Sequence, residues 1–129
     1  MTTQPPQPTW AESSADNIAK IRADTDLQAH VRVLLRELTR VKYAHNFSWM
    51  GRPIIQCPQD IMAMQEIVWA VRPDLIIETG IAHGGSLVAS ASFLALLDYC
   101  DAARDGVSLD PARPRRKVLG IDIDIRSHN

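Results

Sequence analysis

The fold of this chain is decided by residues 75–86, LIIETGIAHGGS. The apolar run Leu75–Ile77 is typical of a parallel strand with apolar side chains on both faces. It leads through a glycine-rich turn into a nearly all-apolar helix at residues 87–99, and residues 117–122 follow as a second apolar strand that ends in an acid. A strand, a helix and a second strand in this order predict one βαβ unit with a parallel sheet.

Three further helices are predicted before the first strand. Residues 12–23 form a short helix, and residues 25–41 form an amphipathic one that begins at a Thr-x-x-Gln capping box. Residues 59–71 form the third, which Pro73 ends. An irregular connector, residues 43–58, lies between the second and third of these helices, and its apolar bulk indicates that it packs over the core or over a ligand.

These elements define three regions of an α/β protein. We expect a disordered, proline-rich tail at residues 1–11, and an N-terminal helical region with its connector at residues 12–58. Residues 59–129 are predicted to be the first part of a Rossmann-like domain. Within that part, residues 101–116 are polar and rich in proline and arginine, which predicts a surface connection.

Composition excludes several classes of protein and partner. The chain has 129 residues, with 46% hydrophobic and 22% charged residues, which excludes collagen-like, coiled-coil and wholly disordered proteins. Its formal net charge of -1 gives no reason to expect nucleic acid or an anionic membrane as a partner. The apolar stretch at residues 87–99 is shorter than the roughly 20 residues that span a bilayer. Because no signal peptide is recognisable and two cysteines make no disulfide framework, we expect the protein in the cytoplasm.

The glycine-rich turn predicts a nucleotide-type ligand site. Glycines let a ligand approach the backbone, and the free N–H groups of the helix favour negative charge. An acid at the tip of the next strand can accept hydrogen bonds from a ribose diol. The candidate cofactor-binding residues are therefore Glu78, Gly80, Ala82, His83, Gly84, Gly85, Ser86 and Asp122. Ser86 is also the predicted N-cap of the helix, while no catalytic residue and no metal ligand can be assigned.

Two ligand classes compete for this site. Gly80, Ala82 and Gly85 come close to the dinucleotide pattern G-x-A-x-x-G, which would make the protein an NAD(P)-dependent oxidoreductase. Glu78 opposes that interpretation, because its carboxylate would repel a pyrophosphate and suits the cationic α-amino group of S-adenosylmethionine. Asp122 also lies further along the chain than the roughly 20 residues that the dinucleotide pattern expects. A non-catalytic binding module, pairing through the 27–41 helix and the open strand edge, is the third interpretation.

The chain resembles the cephalosporin hydroxylase / rhamnosyl O-methyltransferase family over roughly residues 43–128. The resemblance is carried by two stretches, NFSWMGRPIIQCPQDIMAMQEIVWAVRPDLIIETGIAHGGSLVASASFLALL and VLGIDIDIR. It implies a class I S-adenosylmethionine-dependent methyltransferase fold, which is a seven-stranded doubly wound sheet. It also implies O-methylation of a hydroxyl on a sugar or secondary metabolite, with a small-molecule or glycan as acceptor.

The resemblance further implies roles for individual residues. Glu78, Gly80, Ala82 and Gly84 would form the first methyltransferase motif, with Glu78 near the methionine end of the cofactor. Asp122 would bind the ribose hydroxyls. Ala82 stands where many class I enzymes have glycine. The catalytic base, and the ligands of a divalent cation such as magnesium, would lie outside this chain, which we expect to be a truncated and by itself inactive N-terminal part; a homo-oligomer is left open.

Overall fold

The computed structural model describes residues 7–127, whose contacts divide the chain into two compact units between Val41 and Lys42. The first unit is a helical hairpin, α1 (Trp10–Ala23) and α2 (Thr25–Arg40). The second unit contains a 3-10 turn (Tyr43–His45), β1 (Phe47–Trp49), β2 (Arg52–Ile54), α3 (Pro58–Val71), β3 (Leu75–Thr79), α4 (Gly85–Asp105) and β4 (Lys117–Ile121). Of the predicted tail, residues 1–6 lie outside the described part, and Trp10 already belongs to α1.

The connector belongs with the strands, whereas the sequence grouped it with the N-terminal helices. β1 and β2 pair as an antiparallel hairpin, which turns at Met50 and Gly51, both with positive φ. The Trp49 indole donates a hydrogen bond to Ser92 Oγ at 3.0 Å, and its ring meets Phe93 edge-on at 5.6 Å between centroids. The connector's apolar side chains therefore pack on α4, which is why it joins the second unit.

Each helix of the hairpin begins at a side-chain cap that the sequence analysis did not predict. Thr9 and Glu12 form a capping box at the start of α1, where the Thr9 hydroxyl accepts from Glu12 N. The capping box predicted at Thr25 and Gln28 is wrong. Asp24, in an extended conformation, is the N-cap of α2 and accepts from Leu27 N at 2.8 Å, while the Gln28 amide donates to the Ile21 carbonyl.

The predicted βαβ unit is confirmed. β3 and β4 pair in parallel, with Leu75 opposite Lys117 and Thr79 opposite Ile121, and α4 crosses between them. The side chains that point towards the helices surround a small apolar core made of Val68, Leu94 and Leu97, with Ile76, Phe93 and Val118 against it. The fold is therefore mixed α/β, consistent with part of a methyltransferase-like domain, while the complete doubly wound sheet stays a prediction.

The other face of the sheet is open, although both faces were predicted to be buried. The apolar side chains of this face are between 48% and 58% exposed: Leu75, Ile77, Leu119 and Ile121. Alternate residues of each strand point to opposite faces. Within residues 7–127, the core residues of α3 and α4 pack against one face of the sheet, the face of Ile76 and Val118.

α4 is longer than the apolar stretch that predicted it. It runs for 21 residues, and among the described helices it alone is long and apolar enough to cross a membrane by length and composition. One side of it, including Leu94, Leu97 and the acids Asp98 and Asp101, is buried in the second unit, as in the core helix of a folded domain. The expectation of no membrane span stays a prediction.

The segment after α4 is anchored by a buried arginine, so the predicted surface connection is wrong at both ends. Asp101 lies inside α4, and Arg116, just before β4, is only 5% exposed. Arg116 donates to Asp98 Oδ1 at 2.6 Å and to Asp101 Oδ2 at 2.8 Å. The hydrogen bond from Arg116 holds the pKa of Asp101 below its usual value. This pairing ties the start of β4 to α4.

Candidate cofactor site

The turn between β3 and α4 is closed by backbone hydrogen bonds. Gly80 and Gly84 have left-handed conformations, with φ of 79° and 77°, which glycine adopts without steric penalty. Gly80 N donates to the Ile121 carbonyl at 2.8 Å, and Gly84 N donates to the Ile81 carbonyl at 2.6 Å. The turn is thus fixed to the end of β4 and folded back on itself before the helix begins.

Asp122 fastens the same turn from the second strand. Its Oδ2 accepts from Ile81 N at 2.8 Å and its Oδ1 accepts from Asp124 N at 3.0 Å. Backbone N–H groups, first that of Asp124 and then that of Ile81, lower the pKa of this carboxyl. The carboxylate is therefore charged at neutral pH and joins the two parallel strands beyond their carboxyl ends, where ligands of open α/β sheets bind.

Glu78 and Ser86 face each other across the turn. The Ser86 hydroxyl donates to Glu78 Oε1, and both side chains are half-buried. The predicted N-cap role of Ser86 is wrong, because Gly84 occupies the N-cap position and α4 begins at Gly85. Ser86 is the second helical residue, so its side chain orients the carboxylate and leaves the helix terminus uncapped by any side chain.

Gly85 brings the β1–β2 hairpin against the turn. A Cβ at this position would lie 2.2 Å from the Pro53 carbonyl oxygen, which is impossible without moving the backbone. Beside this contact, Arg52 donates to the His83 carbonyl at 3.4 Å. Gly85 is thus required for packing between the connector and the helix, whatever its part in binding a ligand.

A cleft of about 310 Å³ opens between the turn and the connector. Six predicted cofactor residues line it: Glu78, Gly80, Ala82, His83, Gly85 and Ser86. The other two do not line it, since Gly84 is buried in the turn and Asp122 lies behind it against Ile81 N. Whether these residues bind a cofactor stays a prediction, but the structure gathers them at one cleft mouth and its supporting loop.

The opposite wall of the cleft was missed by the residue motifs. It is formed by the end of β2 and the first turns of α3: Ile54, Ile55, Gln56, Asp60, Ile61 and Met64. The apolar bulk of the connector was the available signal. Its packing on α4 confirms the first of the two predicted alternatives, that it covers the core, whereas packing over a ligand stays a prediction. No group of three or more His, Cys, Asp or Glu that could hold a metal occurs within residues 7–127.

Ala82 sits in the turn with a φ of 45°, a conformation that L-residues rarely adopt. A non-glycine residue there carries a penalty of about 1–2 kcal/mol. The resemblance to class I methyltransferases implies that many of those enzymes have glycine at the position of Ala82, and glycine adopts this left-handed φ without steric penalty. The surrounding hydrogen bonds of Gly80, Gly84 and Asp122 hold the turn in this conformation.

The sequence model of the family described as rhamnosyl O-methyltransferase/CmcI matches residues 41–129. The chain belongs to this family. The resemblance found in the sequence is confirmed, and membership supports a transferase of the O-methyltransferase type. No curated protein and no solved structure matches significantly.

The match also separates the two units. It begins at Val41, the residue after which the contacts divide the chain. The βαβ unit, the connector and the whole cleft therefore lie within the matched part, whereas α1 and α2 precede it. The family match therefore assigns no role to the helical hairpin.

Proposed function

We propose that the cleft binds S-adenosylmethionine and that the protein transfers its methyl group to a hydroxyl of a sugar or secondary metabolite. The proposal rests on family membership and on one observation, the pair of carboxylates that flank the turn. Glu78 lines the cleft at the end of β3, and Asp122 supports the turn from the end of β4.

The chemistry of Glu78 favours this cofactor over a dinucleotide. A half-buried carboxylate that accepts one hydroxyl hydrogen bond, from Ser86, gains from a cationic partner and repels a pyrophosphate. The α-amino group of S-adenosylmethionine is such a partner. The volume of about 310 Å³ is at the lower end of the range for small-molecule sites.

Asp122 is a charged hydrogen-bond acceptor at the end of β4. Its Oδ1 accepts from Asp124 N and its Oδ2 from Ile81 N, and the backbone N–H groups of Ala82 and Ile123 also lower its pKa. Because those N–H groups lower its pKa, the side chain is a charged acceptor at neutral pH, which makes stronger hydrogen bonds than a neutral one. A ribose diol is the ligand group that we assign to it.

This chain would contribute binding and orientation. S-adenosylmethionine, when bound, supplies an electrophilic methyl group on sulfur. The turn and the Glu78 carboxylate would fix the cofactor relative to the acceptor hydroxyl, and such positioning supplies much of the rate enhancement in group transfer. The base that activates the acceptor, a divalent cation and its ligands, and a cytoplasmic location stay predictions, and we expect no turnover by this chain alone.

The proposal is tested by calorimetric titration of the chain with S-adenosylhomocysteine and, separately, with NAD. We expect binding of the first and none of the second. Glu78→Gln should weaken binding about tenfold or more, as for the loss of a charged hydrogen-bond partner. Glu66→Gln, on the exposed surface of α3 and outside the cleft lining, is the matched control. Binding of NAD alone would replace the proposal by an oxidoreductase.

Asp122 is tested by a second matched pair. Asp122→Asn should weaken S-adenosylhomocysteine binding, whereas Asp124→Asn keeps the backbone N–H that Asp122 accepts and should leave affinity unchanged. Because Asp122 also supports the turn, the melting temperature of each ligand-free variant is measured beside the affinity. An unaltered affinity of a stably folded Asp122→Asn variant would remove this residue from the site.

A further inference from the structure

One face of α4 forms part of the cleft lining beyond the glycine-rich turn. The lining residues of this helix after its first position are Ser86, Ala89, Ser90 and Phe93, whose spacing places them on the same side of a helix. Ser86 donates to Glu78, and Ser90 lies about one helical turn further along α4. The cleft therefore continues from Glu78 along the helix.

Ser90 is a buried polar residue whose hydroxyl has no partner in the described part of the chain. The residue is 3% exposed and lines the cleft. Within residues 7–127 its hydroxyl makes no hydrogen bond, and it is not among the fully enclosed unpaired atoms, so it opens to the cleft. Its neighbour Ser92, in contrast, donates to the Val88 carbonyl. Because a buried polar group without a partner costs free energy, Ser90 favours a ligand group that can bond to it.

Two carboxylates face the same cleft from different walls. Glu78, at the end of β3, accepts from Ser86 through Oε1, and no described residue donates to its Oε2. Asp60, in the first turn of α3, lines the other wall, and its carboxylate has no hydrogen bond or ion pair with a described residue. No lysine or arginine is among the lining residues that the structure describes. This set of charges favours a cationic group and disfavours an anionic one.

An ammonium group matches these acceptors in number and in charge. It carries three N–H donors and no acceptor. Glu78, Asp60 and Ser90 present acceptors from three different elements, β3, α3 and α4. In an amino acid the carboxylate is bonded to the same carbon as the ammonium group, and the free N–H groups at the start of α4 favour that negative charge beside the site.

A hydroxyl of the acceptor is the other group that could bond to Ser90. A hydroxyl has a single donor, so it would leave at least one of the two carboxylates, Glu78 or Asp60, without a partner in the cleft. The cleft of about 310 Å³ is also at the lower end of the range for one small ligand, which leaves little room for an acceptor beside a cofactor. The ammonium group is favoured for both reasons.

We propose that Ser90 and Asp60 are further cofactor-binding residues, which together with Glu78 hold the ammonium group at the amino-acid end of S-adenosylmethionine. This inference rests on the proposed function and adds an orientation to it. The amino-acid end lies along α4 between the turn and α3, and the nucleoside end lies towards Asp122. The cleft then selects its ligand by the ammonium group.

The test is calorimetric titration of the full chain with S-adenosylhomocysteine and with methylthioadenosine. The second ligand has the same adenosine and a thioether sulfur but lacks the amino-acid end. We expect the wild type to bind S-adenosylhomocysteine about tenfold more tightly or better, as for hydrogen bonds between charged groups. The ratio of the two dissociation constants is the readout, because a general distortion of the cleft weakens both ligands alike.

Ser90→Ala and Asp60→Asn should each weaken binding of S-adenosylhomocysteine about fivefold or more and leave that of methylthioadenosine unchanged. Ser90→Ala removes only the hydroxyl and introduces a better helix former, so the fold should persist, which the melting temperature checks. Two variants outside the cleft lining are the matched controls and should keep the wild-type ratio: Ser92→Ala on α4 and Glu66→Gln on the exposed surface of α3.

The outcomes separate this inference from the cofactor proposal. Equal affinities of the wild type for the two ligands would overturn the inference and keep the proposal, since the nucleoside would be bound without help from the amino-acid end. A ratio unchanged by Ser90→Ala or by Asp60→Asn, or both ligands weakened alike, would remove that residue from the ammonium site. Binding of neither ligand by a folded wild type would overturn the cofactor proposal, and the inference with it.

Discussion

The two faces of the β3–β4 sheet have similar side chains and different surroundings. One face presents Ile76 and Val118 to the core around Leu94. The other presents Ile77 and Leu119, which are about half exposed. Large apolar side chains lie on both sides of the strands, so their sequence does not tell which side a helix covers. The apolar residues that α4 buries, Leu94 and Leu97, therefore decide which face of the sheet is covered.

The largest expected effect is at the helix residue that fills the core. Leu94 is 2% exposed, so Leu94→Ala should lower the free energy of unfolding by about 2–5 kcal/mol. Leu96→Ala, two residues along and 62% exposed, should change it by less than about 0.5 kcal/mol. Urea unfolding followed by circular dichroism measures both. Equal losses would mean that α4 packs differently from the structure.

The next largest loss of stability is expected at Gly120, because its missing side chain lets Leu87 of α4 pack closely on the covered face. A Cβ there would lie 2.7 Å from Leu87 Cδ1 and 2.8 Å from Ile81 Cγ2, both on side chains that can yield somewhat. Gly120→Ala should therefore cost about 1–3 kcal/mol, measured by the same unfolding experiment. Leu119→Phe adds more bulk on the open face and should be nearly neutral. A neutral Gly120→Ala would show that the contact relaxes freely.

Neighbouring isoleucines of β3 test the two faces directly. Ile76→Ala and Ile77→Ala remove the same atoms from adjacent positions of one strand, so their intrinsic strand preferences cancel in the difference. We expect Ile76→Ala to be the more destabilising by about 1 kcal/mol, because its side chain packs against the core. Equal losses in denaturation curves would mean that another surface covers the open face in solution.

The smallest expected effect is a change in folding stability at low pH. Backbone hydrogen bonds lower the pKa of Asp122 in the folded state, so its contribution to stability is complete above the ordinary aspartate pKa of about 3.9. That contribution is lost as the pH falls through the lowered folded value. Asp122→Asn should therefore lose stability less steeply than wild type below about pH 4, in melting curves taken along a pH series.

Asp124→Asn is the control for that series, since it retains the Asp122 carboxylate and the backbone N–H groups that lower its pKa. It should follow the wild-type curve. The Asp101 carboxyl, whose pKa the Arg116 hydrogen bond lowers, titrates in all three proteins and cancels in the comparison. An Asp122→Asn curve parallel to wild type would contradict the low pKa of Asp122.

The sequence predicted the elements of the second unit better than their surroundings. Sequence patterns predicted both strands and the turn between β3 and α4, because apolar runs and turn residues are local signals. The burial of Arg116 could not be predicted, because a charged side chain is buried only where the fold brings it partners such as Asp98.

The candidate site divides in the same way. Residues of the turn could be predicted, because they are consecutive and their chemistry suits a ligand. Gln56, Asp60 and Met64 could not be assigned to the cleft, because they reach it only when the β1–β2 hairpin packs on Gly85. The role of Ser86 changed for a related reason. With Gly84 as the N-cap, α4 begins at Gly85, two residues before the predicted start, and the Ser86 hydroxyl donates to Glu78 instead.

The sequence by itself determined the βαβ order, the glycine-rich turn with its two flanking acids, and the family. Those features depend on neighbouring residues, so a linear pattern can carry them. Only the tertiary structure decided that one sheet face is covered, that the connector forms the second wall of the cleft, and that Asp122 accepts from Ile81 N. These facts depend on contacts between residues tens of positions apart, which are made when apolar burial brings the elements together.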